Sequence, residues 1–294
     1  MKNVEKHPMI MIVIGVIGIS LSSIFVKYSA APSAVTAAFR LLWTVLLMTP
    51  MVLGKKTVRK ELFCIGMRNY ARCSLSGLFL AIHFAVWFES LHHTSVASST
   101  TIVCTEVIWV SVGFCLFMKG KLSSKAVITI AVTFVGSILI AYADSTADST
   151  HLYGDVLALI AAVAVAAYML IGRRVRESVS TTVYTYLVYV VCAVMLVVIC
   201  LLQGHNLFGF GISAVIVGFL LAVFSTILGH SIFSWCLKFY SPSFVSASKL
   251  CEPVVAAVLA VFLFGELPTL LQVFGGVLIL GGVCYYSRME SGNQ

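Results

Sequence analysis

Long apolar runs follow one another along almost the whole chain, and they limit what it can fold into. An α-helix needs about 20 predominantly apolar residues to cross the hydrocarbon layer of a bilayer, and each run has roughly that length. The runs are continuous rather than alternating, which indicates helices rather than the strands of a barrel. We predict an all-α, polytopic membrane protein with ten transmembrane helices: Met9–Val26, Ala34–Leu53, Tyr70–Leu91, Val96–Met118, Ala126–Ala143, Tyr153–Gly172, Thr182–Leu202, Ile212–Leu237, Phe244–Phe264 and Thr269–Tyr286.

The low content of charge agrees with a membrane protein. Charged residues make up 10% of the chain and hydrophobic residues 60%, whereas a water-soluble domain carries about 25% charged residues. Lipid must therefore cover most of the surface. The first run is long for the core of a signal peptide, and Lys27 and Tyr28 interrupt the approach to the small residues behind it. We therefore expect this run to be retained as the first helix.

Basic residues concentrate in alternate loops, which predicts the orientation. The formal net charge is +8, but the bases form no basic face, so nucleic-acid binding is not expected. Loops rich in lysine and arginine stay in the cytoplasm, which predicts a plasma-membrane protein with both termini cytoplasmic. The opposite loops then hold Lys27 among the bases, with Asp144 and Asp148. The cytoplasmic loops hold Lys55, Lys56, Arg59, Lys60, Arg68, Lys119, Lys121, Lys125, Arg173, Arg174, Arg176, Lys238 and Arg288.

The two halves of the chain resemble each other. Ser90–Glu106 and Cys236–Glu252 both end an apolar run, turn briefly and reach a glutamate midway along the next run. Further on, Gly120–Leu122 matches Gly265–Leu267, with one residue of slippage between the two offsets. The similarity predicts an internal repeat.

Each half holds five predicted spans, and an odd number gives the halves opposite orientations in the membrane. We therefore predict two inverted repeats, residues 1–145 and 146–294, each of five helices. Inverted repeats are a recurring construction of secondary transporters, in which two similar halves exchange conformations and open the protein to one side at a time.

Several stretches resemble the drug/metabolite transporter superfamily, and specifically its ten-helix EamA type. They are Pro32–Leu42 with Phe39-Arg40, Ala161–Arg173 with Tyr168, Cys236–Tyr240, Glu252-Pro253, Gly265–Leu267 and Gln272–Gly282. The resemblance covers essentially the full chain. It implies two five-helix repeats and a central pathway lined by the first four helices of each half, and it says little about the substrate. The first half has Val107 where the second has Pro253, so a proline-dependent helix break is expected only in the second.

Two glutamates near the middle of predicted spans are the first candidate substrate-binding residues. A charged side chain at the bilayer centre costs about 2.5–3.5 kcal/mol on insertion scales, so it normally faces a cavity or a partner. Glu106 shares a helical stripe with Ser95 and Ser99, and Glu252 lies three residues after Lys249. The two carboxylates are candidates to bind a proton or a substrate amine. The alternative is a structural role, above all for Glu252, which is within reach of Lys249 on one helix face.

Arg40 is a candidate anchor for a substrate carboxylate, which a guanidinium binds with two parallel hydrogen bonds. Thr36 and Thr44 fall on the same helix face. The alternative is that the long side chain extends to the outer surface of the membrane and keeps its charge in water.

Histidines and aromatic residues complete the candidate site. His83 and His230 occupy nearly corresponding positions of the two halves, and Trp87 lies one turn after His83. A histidine can relay protons near neutral pH, although it can also simply bond a neighbouring helix. Tyr168 can line a cavity or pack between helices. No cofactor and no metal site are expected, because the nine cysteines form no C-x-x-C pair and lie mainly in apolar runs.

Taken together, these features predict a carrier rather than an enzyme. No P-loop and no G-x-S-x-G or H-E-x-x-H pattern occurs. We expect a secondary transporter of a small metabolite, with an amino acid or related zwitterion as the leading substrate class. Efflux by alternating access, with proton coupling, is the expected mechanism. The expected partners are a small-molecule substrate, protons and the lipid bilayer. A membrane-embedded enzyme and a lipid-handling protein stay open as alternatives, and the oligomeric state is open.

Overall fold

The apolar runs fold into α-helices in the computed structural model, which describes residues 8–118, 124–145 and 149–291. No strand occurs in these ranges. The helices of the first half are α1 (Pro8–Lys27), α2 (Ser33–Gly54), α3 (Lys56–Cys64), α4 (Met67–His93), α5 (Val96–Val103), α6 (Glu106–Met118) and α7 (Ser124–Ser145). Those of the second half are α8 (Ser149–Val175), α9 (Thr181–Leu202), α10 (Gly211–Leu220), α11 (Ile232–Cys236), α12 (Pro242–Ser248), α13 (Glu252–Phe264) and α14 (Leu270–Ser291).

Seven helical stretches of the described chain are long and apolar enough to cross a membrane. They are Met9–Lys27, Ser33–Gly54, Met67–His93, Val96–Met118, His151–Val175, Thr181–Leu202 and Gly211–Cys236. The apolar helices Glu252–Phe264 and Leu270–Gly282 are shorter than this limit. The all-helical, multi-pass architecture is therefore confirmed, whereas ten spans in two inverted repeats stay a prediction.

Two of the membrane helices are interrupted, and the interruptions face each other. Cys104 and Thr105 form a tight turn between α5 and α6, and Lys249–Cys251 form a single 3₁₀ turn between α12 and α13. The sulfur of Cys104 lies 3.9 Å from the backbone oxygen of Lys249. The first interruption occurs without a proline, so proline is not what breaks the helix there. Glu106 and Glu252 each begin the second part of an interrupted helix, where the helix dipole favours a negative charge.

A third irregularity widens the helix that joins α10 to α11. Residues Leu221–Ser231 form a π-helix, a form that is rare and frequent at functional sites. This segment packs against α1, where a Cβ at Gly18 would lie 2.6 Å from the carbonyl oxygen of Phe224. The close approach places Thr226 and His230 against the centre of the bundle, and both are buried.

The helices pack around a core that runs through both halves. The helix α4 packs against α8 and α9, and α2 packs against α9 and α10. The helix α1 packs against the π-helix and α13, and α7 packs against α14. Large apolar side chains remain exposed around the bundle, for example Leu202 and Phe262. A surface of this kind is suited to lipid rather than water.

Polar contacts define the two ends of the bundle. At one end, Asn69 and Ser178 bring the start of α4 to the turn between α8 and α9, and Arg173 donates to the backbone oxygen of Leu237. We call this the basic end, because it gathers the basic loops at residues 55–68, 173–176 and 238. The opposite end holds Lys27. Several charges used to predict the orientation, Lys119, Lys121 and Asp148 among them, lie outside the described residues, as does the boundary between residues 145 and 146.

Candidate functional site

The two interruptions and the π-helix surround one polar cavity in the middle of the bundle. Its volume of about 20 Å³ is enough for roughly one water molecule. Side chains from both halves line it: Ile19, Ser22, His83, Trp87, Val103, Cys104, Glu106, Val165, His230, Lys249 and Glu252. Five of the seven candidate substrate-binding residues are therefore brought together, namely His83, Trp87, Glu106, His230 and Glu252.

A buried ion pair joins the two halves across this cavity. The ammonium of Lys249 lies 2.8 Å from Oε1 of Glu106, and both side chains are almost fully buried. The sulfur of Met169 lies 3.6 Å from the same nitrogen. The sequence placed Lys249 with Glu252 on one helix face, but the ammonium of Lys249 pairs with Glu106 instead. The turn before Glu106 interrupts the stripe that was expected to link Glu106 with Ser95.

Glu252 is the second carboxylate of the cavity, and it has no partner of its own. It is buried, yet no hydrogen bond or ion pair to it occurs among the residues that the structure describes. It lies close enough to Arg40 and Lys249 to interact with both electrostatically. Glu252 is therefore the acidic group of the cavity that forms no ion pair in the described chain.

Arg40 is completely buried and points into the bundle. Its Nε donates to Thr226 Oγ1 at 2.7 Å and its Nη1 to Ser22 Oγ at 3.0 Å. Its guanidinium carbon lies 4.1 Å from the centroid of the Phe84 ring, a cation–π arrangement. The alternative in which Arg40 extends to the membrane surface is therefore wrong, because hydroxyl groups of α1 and the π-helix hold it inside.

The hydroxyl groups that hold Arg40 neutralise none of its charge, and Nη2 has no hydrogen-bond partner in the described chain. Thr226 can accept from Arg40 because its own hydroxyl lies 3.3 Å from the carbonyl oxygen of Leu221. Ser22 both contacts Arg40 and lines the cavity. Arg40 does not line the cavity itself, and a ligand would reach it where Ser22 lies.

The rings of His83, Trp87 and His230 form one wall of the cavity. His83 stacks on Trp87, with ring centroids 5.7 Å apart, and lies 6.2 Å from His230. Nδ1 of His83 is 3.0 Å from the backbone oxygen of Ala161. Because a carbonyl oxygen only accepts, Nδ1 carries the hydrogen, and Nε2 is left as an acceptor in the neutral ring.

Tyr168 lies behind the cavity rather than in it. Its hydroxyl is 2.7 Å from Ser234 Oγ, and its ring stacks on that of Tyr184 with centroids 6.4 Å apart. Tyr189 lies on the same side, with its hydroxyl 3.0 Å from Ser231 Oγ. Tyr168 is thus joined to neighbouring helices, which agrees with the packing alternative, and its neighbour Val165 takes the place at the cavity wall.

A carboxylate at the opposite end ties three elements together. Oε1 of Glu266 lies 3.1 Å from the ammonium of Lys27 at the end of α1, and Oε2 accepts from the backbone N–H of Val96 at 3.0 Å. Glu266 therefore caps the start of α5, in the other half of the chain, and does not begin α14. The contact closes the bundle at this end.

A larger groove also opens near the opposite end. It has a volume of about 820 Å³ and includes Glu89, His92 and Tyr153. It lies on another face of α4 from His83 and Trp87, and it shares no residue with the central cavity. None of the predicted site residues borders it.

The chain is similar in sequence to several bacterial and archaeal proteins. An uncharacterized transporter of Clostridium kluyveri is 23% identical over 257 residues, which cover 85% of this chain and 82% of the relative. The uncharacterized transporter YxxF of Bacillus subtilis is 25% identical, with 74% and 69% covered. An uncharacterized transporter of Archaeoglobus fulgidus is 20% identical, with 71% and 72% covered.

Residues 152–288 match the EamA-like transporter family. The match covers the second half of the chain, which is similar to this family. A solved crystal structure is also similar, with a TM-score of 0.73 over 98% of this chain and 99% of the other, at 14% identity, and this similarity shows the fold alone. The protein is therefore a multi-pass membrane transporter with a small-molecule substrate, and the family favours transport over catalysis.

The buried pair gives a first prediction. In Glu106→Gln, Lys249 stays buried without its anion, so we expect the free energy of unfolding to fall by about 3–5 kcal/mol. The double variant Glu106→Gln, Lys249→Met removes both charges and should recover most of this loss. The measurement is a denaturant titration of the purified protein in one detergent.

Glu266→Gln is the matched control, because it breaks a pair that is about one quarter exposed on each side. A pair in contact with solvent contributes less, so removing it should cost under about 1 kcal/mol. If the free energy of unfolding fell as little in Glu106→Gln as in Glu266→Gln, Glu106 would not be the essential partner of Lys249. Glu252 would then pair with Lys249 in its place.

Proposed function

We propose that this protein exports a small zwitterionic metabolite, an amino acid or a close relative, across the plasma membrane by proton-coupled alternating access. One observation carries the proposal: Arg40 and Glu252 form no ion pair in the described chain, and they lie beside the same buried cavity, Glu252 directly and Arg40 through Ser22. Their surroundings come from α1, α4, α13 and the π-helix, so both halves of the chain contribute.

The balance of charges favours a zwitterion over a simple anion or cation. Lys249 and Glu106 neutralise each other, which leaves one positive and one negative group. A substrate carboxylate supplies what Arg40 lacks, and a guanidinium binds it with directed, charge-assisted hydrogen bonds. A substrate ammonium supplies what Glu252 lacks. A ligand with only one of the two charges would leave the other buried and unpaired, which costs several kcal/mol.

The size of the cavity supports alternating access. Ligand pockets of proteins usually measure about 300–1,000 Å³, far more than the 20 Å³ enclosed here. The structure thus corresponds to a closed state, and substrate enters when one end of the bundle opens. Glu266, which holds α1 and α5 together, is the contact that must release at the opposite end.

The packing of the helices supports two repeats, residues 1–145 and 146–294, that move against each other. If the halves are exchanged, α1 becomes α8, α2 becomes α9, and α4 becomes the stretch from α10 to α11. The contacts follow the same exchange. The packing of α4 on α8 and α9 has its counterpart in the packing of the π-helix on α1 and of α10 on α2. The pairs α2–α9 and α7–α14 correspond to themselves.

Orientation and coupling follow from charge. The basic end faces the cytoplasm, because lysine- and arginine-rich loops are retained there, and both termini lie on the same side. Glu252 exchanges the coupling proton, because a buried carboxylate without a partner is stabilised by taking up either a proton or a cationic ligand. Proton entry and release of the substrate ammonium then compete for one group, which couples inward proton movement to export.

The zwitterion proposal predicts which ligands stabilise the protein. Each amino acid would be compared with its decarboxylated and its deaminated analogue, for instance leucine with 3-methylbutylamine and 4-methylpentanoate. A ligand that binds the native state raises Tm. We expect the substrate amino acid to raise Tm by about 3 °C at roughly tenfold its Kd, and both analogues to have little effect.

Arg40→Gln should lose this stabilisation, and Arg59→Gln, a change of an exposed arginine on α3, should keep it. If an amine raised Tm as much as the amino acid, and Arg40→Gln responded normally, Arg40 would not be the anchor. If no amino acid raised Tm, the substrate class would be wrong.

Proton coupling is tested by flux in proteoliposomes with an imposed pH gradient. Glu252→Gln has no proton to exchange and offers the substrate ammonium only a neutral amide, so we expect loss of the pH-driven component, while exchange of substrate without a gradient continues at a reduced rate. Glu106→Gln should keep the pH dependence at a reduced rate, since its partner Lys249 is disturbed. Undiminished pH-driven flux in both variants would overturn the coupling assignment.

Alternating access predicts that weakening the closure exposes the cavity. Cys104 lines the cavity and is 3% exposed, so it can report opening in a variant that keeps it as the single cysteine. Glu266→Gln removes an ion pair that is about one quarter exposed on each side, and it weakens the cap on α5. The rate at which a membrane-impermeant maleimide labels Cys104 from the outer side should rise about three- to tenfold.

Glu89→Gln is the control for this experiment. It removes a carboxylate near the same end, and the partner of that carboxylate, His93 at 3.2 Å, lies on the same helix. The labelling rate should therefore stay at its original value. Equal rates in Glu266→Gln and Glu89→Gln would mean that Glu266 does not hold the outer end closed.

A further inference from the structure

A second buried arginine without a partner lies at the basic end. Arg176 follows α8 directly, in the turn to α9, where an arginine would be expected in solvent. Its side chain instead folds back into the bundle and is 8% exposed. The guanidinium carbon lies 4.7 Å from the centroid of the Tyr184 ring. None of its three nitrogens, Nε, Nη1 and Nη2, has a hydrogen-bond partner in the described chain.

The neighbouring charges do not explain this position. Arg173 donates to the backbone oxygen of Leu237, and Arg174 is exposed. The two acidic residues near this turn are Glu61 and Glu177. Glu61 accepts from the backbone N–H of Ser180 at 2.5 Å, and Glu177 is exposed, with no ion pair to Arg176 in the parts that the structure covers.

A buried guanidinium without acceptors is unfavourable, because the group has lost water and gained only the face of an aromatic ring. Burial lowers the pKa of Arg176 from its ordinary value for the same reason. Arginine nevertheless stays protonated in proteins. The position therefore keeps a positive charge with five unused N–H donors, in the fork-shaped arrangement that matches the two oxygens of a carboxylate or phosphate.

The local packing buries the guanidinium without giving it an acceptor among the described residues. One turn earlier, a Cβ at Gly172 would lie 3.2 Å from Nη1 of Arg176. The hydroxyl of Tyr184 is held away from the arginine by Ser76 Oγ, 2.6 Å distant. The ring thus covers one face of the guanidinium, and glycine keeps a side chain from its edge.

Tyrosine residues connect this position with the central cavity. Tyr184 stacks on Tyr168, and Tyr189, on the helix of Tyr184, lies within electrostatic range of both Arg40 and Arg176. Two unpaired arginines, one in the middle of the bundle and one at the basic end, are therefore joined by a run of buried tyrosines.

We propose that Arg176 is a second oxyanion-binding site, which takes a carboxylate or phosphate group at the basic end of the bundle. If the oxyanion is the substrate carboxylate that Arg40 binds, which rests on the proposed function, Arg176 binds it closer to the basic end than Arg40 does. The oxyanion itself has two possible sources, a soluble molecule or the phosphate of a lipid headgroup. The site and its chemistry are the same in both cases.

The test uses the full-length protein in dodecyl maltoside, a detergent without phosphate, with sodium acetate or sodium phosphate compared with sodium chloride at equal ionic strength. An oxyanion bound to the native state raises Tm, by about 3 °C at roughly tenfold its Kd. Arg176→Met should lose this rise. It should also unfold at the same or a higher Tm than the original protein when no oxyanion is present, because an uncompensated buried charge has been removed.

Two further variants keep the result interpretable. Arg174→Met changes the exposed neighbour and should respond like the original protein. Arg176→Lys keeps the charge without the fork and should keep a reduced response. A structural arginine would behave differently: Arg176→Met would unfold at a clearly lower Tm in chloride, and its response to acetate and phosphate would be unchanged. That result overturns the proposal.

The lipid source is distinguished by adding phosphatidylcholine or phosphatidylglycerol to the detergent solution. If a headgroup phosphate is the ligand, added lipid raises Tm more in the original protein than in Arg176→Met, and acetate adds nothing further. If the ligand is soluble, acetate and phosphate act equally with and without lipid. If none of these conditions gives a Tm shift that depends on Arg176, the proposed site is wrong.

Failure of this site and failure of the proposed function give different results. If the zwitterion proposal is wrong, amino acids do not stabilise the protein, but the shift that depends on Arg176 remains. If the Arg176 site is wrong, amino acids still act through Arg40, and Arg176→Met responds to acetate like the original protein.

Discussion

The pairing of charge in a medium without water governs the centre of this protein. In a bilayer the surrounding lipid cannot solvate an ion, so each buried charge needs a partner from the protein or a ligand. Lys249 and Glu106 satisfy this requirement across the two halves of the chain, at 2.8 Å. The pair fixes the interrupted helices against each other. Of the four charged residues at the centre, it leaves Arg40 and Glu252 to interact with a substrate.

The interruptions of the two helices bring Glu106, Lys249 and Glu252 to one cavity. A continuous helix would direct Glu106 and the residues before it along one regular stripe, whereas the turn at Cys104–Thr105 starts a new helix at the glutamate itself. The 3₁₀ turn at Lys249–Cys251 does the same for Glu252. Each carboxylate then lies at a helix N-terminus, where the dipole favours its negative form, and broken helices near the midplane are where transporters bind substrates and ions.

The sequence predicted the helices well and their irregularities poorly. Every predicted span coincides with helix, because roughly twenty apolar residues leave few alternatives in lipid. The turn at Cys104 could not be predicted, since no proline or glycine marks it, nor could the π-helix at Leu221–Ser231. These two features decide side-chain partners. Lys249 was expected beside Glu252 from spacing alone and instead bonds Glu106. Arg40 is held inside by Thr226, which lies in the π-helix.

Arg40, Glu252 and Arg176, the binding groups proposed above, form no ion pair in the described chain. Arg173 and Lys249 have protein partners, so a ligand would have to displace them, whereas the three unpartnered charges gain an interaction when an ion of opposite sign arrives. Burying these charges without a counter-ion costs free energy only while no ligand is bound. The closed, empty form is therefore less stable than the ligand-bound form. A carrier needs that difference, because the ligand can shift the conformational equilibrium only by binding one state more strongly than the other.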